Sequence, residues 1–205
     1  MGIDMLLHEK EASLNNYKII CGVDEAGRGP LAGPVFAAAV ILNENEIIDG
    51  INDSKKLSEK KREFLYDQIK AKALAYSIAF ADEREIDEIN ILNATYLAMT
   101  RAIDNLNIRP DFALIDGNSL PSLNIPAKAI IKGDSLSFSI AAASILAKVE
   151  RDRLMKKLAI EYPEYCFEKH KGYGTALHVE LLKKYGPCRI HRKTFLKKIL
   201  GKEYE

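Results

Sequence analysis

The apolar run Ile19-Ile20-Cys21-Gly22-Val23 passes without a break into Asp24-Glu25-Ala26-Gly27-Arg28-Gly29-Pro30, and this junction limits what the chain can become. A run this apolar suits a strand buried on both faces, as in the interior of an α/β sheet. Two carboxylates directly after it fall at the carboxyl end of the strand, where open α/β sheets gather their ligands. Carboxylate oxygen is what a hard dication such as Mg²⁺ takes. Glycines let the main chain approach a ligand closely, and arginine suits phosphate. Metal ligands, phosphate charge and a close backbone in one peptide point to phosphoryl chemistry on a nucleic acid.

The remaining residues repeat the strand-and-helix alternation. Strands are expected over Tyr17–Val23, Val35–Leu42, Ala75–Ala81, Phe112–Ile115 and Ala127–Ile131. A turn rich in glycine and proline separates the first two. Ser58 is placed to cap a helix reaching about Lys72, with Phe64, Leu65 and Ile69 on its inner face. Glu85–Leu106 carries Ile86, Ile89, Leu92, Tyr96, Leu97, Met99 and Ile103 at helical spacing. A further helix spans Phe138–Glu161 and stops before Pro163, and Thr175 and Gly186-Pro187 mark the start and stop of another. The expected fold is α/β, a mixed sheet flanked by helices with a basic C-terminal helical extension. Residues 1–16 form a lead-in, 17–162 the core, and 163–205 a basic helical segment packed on it.

Length and composition bound this reading. At 205 residues and 47% hydrophobic the chain suits one domain, with or without an appendage. No apolar run approaches the roughly 20 residues that cross a bilayer, and Met1–Asn16 lacks the pattern of a signal peptide. Cys21, Cys166 and Cys188 are odd in number and form no CxxC pair. A reduced, cytoplasmic protein with Cys21 as a small buried hydrophobe is therefore expected, without a zinc site or disulfide framework. The overall charge of +1 hides a division: Met1–Ala147 holds 15 Lys and Arg against 21 Asp and Glu, and Lys148–Glu205 holds 15 against 8. The basic part reads either as a solvated helical surface or as a grip on a phosphate backbone.

Four acids stand at or just past expected strand ends: Asp24, Glu25, Asp116 and Asp134. Clustered carboxylates repel unless cations lie among them, and two divalent ions about 3.5–4 Å apart serve an in-line displacement at phosphorus. Each acid also has a plainer reading. Asp134 is placed to cap a helix, and Asp116 precedes Gly-Asn as turn residues do. Asp24 and Glu25, as neighbours on a strand, point to opposite faces unless the strand ends or twists there. Gly27-x-Gly29-x-x-Ala32 loosely matches a dinucleotide fingerprint, but Pro30 and Pro34 interrupt it and a strand follows where a helix is required.

With these residues assembled, the chain resembles bacterial ribonuclease HII. The similarity runs through Gly22–Val35, Asp53-Ser54-Lys55-Lys56-Leu57-Ser58, Leu114-Ile115-Asp116-Gly117-Asn118, Lys132-Gly133-Asp134, Ser139–Asp152 and Lys169–Thr175. The blocks keep the family's order over about residues 19–195. The resemblance implies a ribonuclease H-like fold and a monomeric endonuclease acting on the RNA-containing strand of RNA/DNA hybrids. It also implies nicking of DNA duplexes on the 5′ side of embedded ribonucleotides, leaving 3′-hydroxyl and 5′-phosphate ends. Asp24, Glu25, Asp116 and Asp134 match the family's four metal-binding acids, which take Mg²⁺ or Mn²⁺ as two ions. Gly27-Arg28-Gly29 matches the element that senses the 2′-hydroxyl through its backbone. Tyr173 matches the tyrosine that packs on the sugar of the next, deoxy, nucleotide.

The residues agree independently. Backbone amides freed by glycine can reach a 2′-OH, the group that tells RNA from DNA. Tyr173 between Gly172 and Gly174 suits an exposed ring on a tight loop, or simply a surface tyrosine. Lys55, Lys56 and Arg28 are phosphate candidates, with solvation or a salt bridge as their alternatives. One rival is a metal-free ribonuclease using His170, His178 and His191 as general acid and base and giving a cyclic phosphate. A second is a silent nucleic-acid binder. A third is the type-3 relative, which usually carries an extra N-terminal substrate-binding domain, whereas about 16 residues precede the first strand here.

Overall fold

The computed structural model describes residues 4–43, 46 and 48–201, with the side chain of Lys198 excepted. The expected lead-in and tail therefore lie partly outside the described residues. A mixed sheet of β1 (Ile20–Ala26), β2 (Val35–Ile41), β3 (Ala75–Ala81), β4 (Phe112–Asp116) and β5 (Ala127–Ile130) organises the chain, in the order β3-β2-β1-β4-β5. β1, β2 and β3 pair antiparallel; β1–β4 and β4–β5 pair parallel.

β2 shows how the layers form. All seven of its residues are buried. Val35, Ala37, Ala39 and Ile41 pack toward α3 (Glu83–Asp104), among Ile86, Ala98 and Met99. Phe36, Ala38 and Val40 face the other way, toward α2 (Glu59–Lys72) and α4 (Phe138–Glu161). Strand side chains alternate between faces, so one continuous apolar run feeds both cores. Ala38 on that second face faces α4, whose run Ala141-Ala142-Ala143 is fully buried.

Local chemistry sets the helix ends. Ser58 accepts from the Lys61 amide at 3.3 Å at the start of α2. α3 starts two residues earlier than the spacing suggests, because Asp82 and Glu85 form a capping box. A break at Asn90, with φ 68°, interrupts α3, and its side chain accepts from the Leu92 and Asn93 amides to restart the helix. The buried stripe beyond the break runs through Ala94, Ala98 and Ala102, and Leu92 is left exposed. Phe64 is likewise exposed, under the Lys61 ammonium, because the inner face of α2 turns on Leu65, Tyr66 and Ile69.

Three further differences bear on the site. β1 begins and ends three residues later than expected: Ala26 still pairs with Phe36, so Asp24 and Glu25 belong to the strand. The cap of α4 is Ser137, accepting from Ile140, and Asp134 sits in a preceding 3₁₀ turn, Gly133–Ser135. The lead-in contains a helix, α1 (Leu7–Leu14), with little apolar periodicity to announce it. It is held by tertiary contacts. Glu9 accepts from the Ser137 hydroxyl at 2.6 Å and the Ser139 amide at 3.0 Å, and Phe138 donates to the Met5 carbonyl.

After Pro163 come α5 (Phe167–His170), α6 (Ala176–Tyr185) and α7 (Lys193–Leu200). Thr175 caps α6, and Gly186, at φ 74°, ends it. This basic segment wraps the turn between β1 and β2. Leu31 donates to Gly172, Gly33 donates to Ile190, and Ala32 bridges His191. Among the described residues no helix is long and apolar enough to cross a membrane. Cys21 is fully buried, and burial pushes its thiol up to about 12.

Candidate active site

Pairing between β1 and β4 stops at Val23 and Ile115, while β1 runs on to Ala26 along β2 alone. Past that point one edge of β1 is open beside the end of β4. Ligand oxygens of Asp24, Glu25 and Asp116 gather there within 4.8 Å of one another. The objection that strand neighbours face opposite ways is met at this open edge. Asp24 folds back so that its Oδ1 accepts from the Glu25 amide at 2.6 Å. Asp116 Oδ1 accepts from the Gly133 amide at 2.6 Å, which ties the end of β4 to the turn carrying Asp134. Asp134 lies beside this trio and acts on Asp24 electrostatically.

Charge is concentrated without enough compensation. Burial, then repulsion from Glu25 and Asp116, raises Asp24 well above the ordinary carboxylate range. Burial raises Glu25 as well, with the nearby Arg28 guanidinium pulling the other way. Asp134 is raised by burial and then by Asp116 and Asp53. An all-carboxylate donor set that resists ionisation by itself fits a hard divalent cation, which would relieve the repulsion.

The turn after β1 lies over two buried guanidiniums. Arg192 donates to the carbonyls of Gly27 (2.6 Å), Arg28 (2.9 Å) and Gly33 (2.8 Å). Arg151 donates to Pro34 (3.1 Å), Ala32 (3.2 Å) and Lys171 (3.0 Å). Gly27 has φ 99°, and a Cβ there would fall 2.0 Å from Arg151 Nε, so both backbone and space demand glycine. A Cβ on Gly29 would touch the Tyr173 ring at 3.8 Å. That ring is 41% exposed, with the Arg151 guanidinium 5.7 Å and the Lys148 ammonium 5.9 Å from its centre. Arg28 reaches Glu25 at 3.5 Å, the salt-bridge alternative, yet about half of its side chain stays in solvent.

Lys55 and Lys56 belong to a 3₁₀ turn capped by Asp53, whose Oδ1 accepts from the Lys55 amide. The Lys55 ammonium stands 3.8 Å from Asp134, and Lys56 reaches Asp53 and the Ser135 hydroxyl. Burial opposes the charge on Lys55, but Asp24 and Asp134 outweigh it and raise its pKa. Lys55 and Arg28 thus reach the acids themselves, Lys56 reaches the turn that carries Asp134, and Tyr173 stands against Gly29 in the turn after β1. Arg151, Arg192 and Asp53 had no assigned role in the sequence. Burial of an arginine has no signature in a single chain.

The three histidines fit another purpose. They are buried, with His170 and His178 stacked 4.3 Å apart and His178 Nε2 3.1 Å from His191 Nε2. Their other nitrogens meet the Tyr165 and Tyr173 carbonyls and the Gly172 and Cys188 amides. Burial lowers His178 and His191 to about 4, so both are neutral near pH 7. Inaccessible neutral imidazoles with occupied nitrogens are poorly placed as a general acid and base, which disfavours the metal-free alternative.

Comparison with known proteins identifies the family. The family model for ribonuclease HII matches residues 21–198. Ribonuclease HII of Caldicellulosiruptor saccharolyticus is 58% identical over 202 residues, covering 98% of each chain. That of Idiomarina loihiensis is 62% identical over 177 residues, covering 86% of this chain and 95% of its own. Among solved structures, ribonuclease H2 from Pyrococcus horikoshii OT3 superposes with a TM-score of 0.71 at 29% identity, covering 86% of this chain and 93% of its own. Ribonuclease HII from Archaeoglobus fulgidus, solved in complex with PCNA, gives 0.70 at 27%, covering 82% and 88%. The chain belongs to the ribonuclease HII family, and is accordingly a metal-dependent endoribonuclease of the ribonuclease H-like fold that hydrolyses RNA in RNA/DNA hybrids.

Proposed function

We propose that this enzyme nicks the RNA-containing strand on the 5′ side of a ribonucleotide, including single ribonucleotides embedded in duplex DNA. The products are 3′-hydroxyl and 5′-phosphate ends. The observation that carries the reading is the convergence of Asp24, Glu25 and Asp116 within 4.8 Å at the open edge of β1, with Asp134 beside them. These four side chains would hold two divalent ions, Mg²⁺ or Mn²⁺. Bound there, such ions supply an activated water and charge stabilisation of the leaving oxygen.

The chain's own groups do the rest. Asp116 spends one oxygen on the Gly133 amide and keeps the other for ligation. The amides of the Gly27–Gly29 turn donate to the 2′-hydroxyl, a contact only a ribonucleotide offers. Tyr173 packs on the sugar of the following deoxynucleotide, which holds the scissile phosphate over the acids. Lys55, Lys56 and Arg28 meet neighbouring phosphates as mobile charges. Residues 17–162 act as the catalytic core, and the basic segment 163–205 adds grip on the duplex. The protein works as a monomer in a reduced, cytoplasmic setting.

The test is cleavage of a DNA duplex carrying one ribonucleotide, with Mg²⁺ present and then chelated. A Mg²⁺-dependent nick 5′ of the ribonucleotide with 3′-hydroxyl and 5′-phosphate ends is expected. Chelator-resistant cleavage to a cyclic phosphate would sink the reading, as would tight binding with no cut in either metal.

A further inference from the structure

Arg192 and Arg151 are both fully buried, and neither forms an ion pair among the described residues. Their six nitrogen contacts all go to main-chain carbonyls. Burying one unpaired charge is costly, and two like charges side by side cost more. Burial and the presence of Arg151 pull Arg192 down to about 9, and burial pulls Arg151 down to about 10. Apolar side chains would fill the same space at lower cost. What guanidinium adds is a rigid planar fork that fixes several acceptors at once.

The fork has a consequence on its far side. In a trans peptide the C=O and the next N–H point in opposite directions. Arg192 holds the carbonyls of Gly27 and Arg28 from beneath, so the amides of Arg28 and Gly29 are turned outward. No acceptor among the described residues takes either amide. Arg151 joins the same turn, through Ala32 and Pro34, to the Lys171 carbonyl two residues before Tyr173, and underlies that ring. One guanidinium aims the amides; the other ties their turn to the segment that carries the tyrosine.

We propose that Arg192 and Arg151 are positioning residues for sugar selection, fixing the outward amides of Arg28 and Gly29 beside Tyr173. This rests on the reading of that turn as the 2′-hydroxyl sensor. The charge of the pair is incidental to selection; the geometry of the fork is what matters. A lysine keeps the charge and loses the fork.

The test uses the full chain with Mg²⁺ and two duplexes of one sequence, one carrying a single ribonucleotide and the other all deoxy. KM and kcat are measured on the first, and the second serves as competitor to give Ki. In Arg192→Lys and Arg151→Lys the ratio Ki/KM should fall about tenfold, equivalent to about 1.4 kcal/mol, with kcat reduced and Ki unchanged. A parallel rise of KM and Ki would overturn the proposal, because affinity and not selection would then have been lost. So would an unchanged ratio with only a lower unfolding midpoint, or failure of both variants to fold, either of which makes the arginines structural posts. Failure of the underlying reading shows separately, as a wild-type enzyme whose Ki equals its KM.

Discussion

Gly22 in the centre of β1 lies directly beneath the first turn of α4: a Cβ there would fall 2.1 Å from the Ser139 carbonyl carbon and 2.3 Å from the Ile140 nitrogen. Both obstacles are backbone, so neither can rotate aside. This contact holds α4 against the strand that carries Asp24, and Asp134 lies just ahead of the same helix. Gly22→Ala should destabilise the protein by about 3 kcal/mol or more, at the upper end of overpacking costs. Urea unfolding measures it, and a change near zero would mean the strand and helix are less tightly joined than described.

Asp24 destabilises the fold it serves. Its folded pKa is raised, so at neutral pH its ionised form opposes folding. Asp24→Asn keeps the acceptor for the Glu25 amide and removes the repulsion. Without divalent metal the variant should be more stable than wild type by about 1 kcal/mol or more, while cleavage falls by orders of magnitude. Adding Mg²⁺ or Mn²⁺ should raise the wild-type unfolding midpoint and leave that of the variant nearly unmoved. A less stable, metal-responsive variant would contradict this account of the cluster.

Tyr173 separates stability from activity in the other direction. Because its ring is 41% exposed, Tyr173→Ala should barely shift the unfolding midpoint. Loss of a packing surface for the sugar should lower kcat/KM on the single-ribonucleotide duplex about tenfold or more. Tyr173→Phe should keep most of the activity. Equal losses in the two variants would place the effect in the hydroxyl.

The histidine cluster predicts acid sensitivity. His178 and His191 have folded values of about 4 against an ordinary 6.5, so the unfolded chain binds protons first as pH falls. Their contribution is fully present above pH 6.5 and is lost as pH drops toward 4. The buried carboxylates act with the opposite sign, so the useful comparison is wild type against His191→Gln. The wild type should lose about 3 kcal/mol more than the variant across that window, read by urea unfolding at stepped pH. Parallel profiles would show that the imidazoles are not buried neutral.

Much of this protein was legible one residue after another. The apolar run of β2, the serine before α2, the stop at Pro163 and the glycine after α6 are local rules, written in burial pattern, capping chemistry and backbone freedom. The strand-end position of Asp116 followed from the same rules, whereas Asp24 lies within β1 and Asp134 in the turn before α4. Glycine at Gly27, whose φ of 99° needs it, followed from them too. Elements with weak local signals were not legible. α1 is held by Glu9 reaching the start of α4, more than a hundred residues away, and the break at Asn90 depends on a side chain closing on its own helix. β1 shifted because its partner β2 extends it to Ala26, a pairing that periodicity within one strand does not contain. Most of all, only the tertiary structure put Arg151 and Arg192 under the Gly27–Gly29 turn. Sequence specifies which groups can bond, whereas burial and the meeting of distant carbonyls are properties of the packed chain.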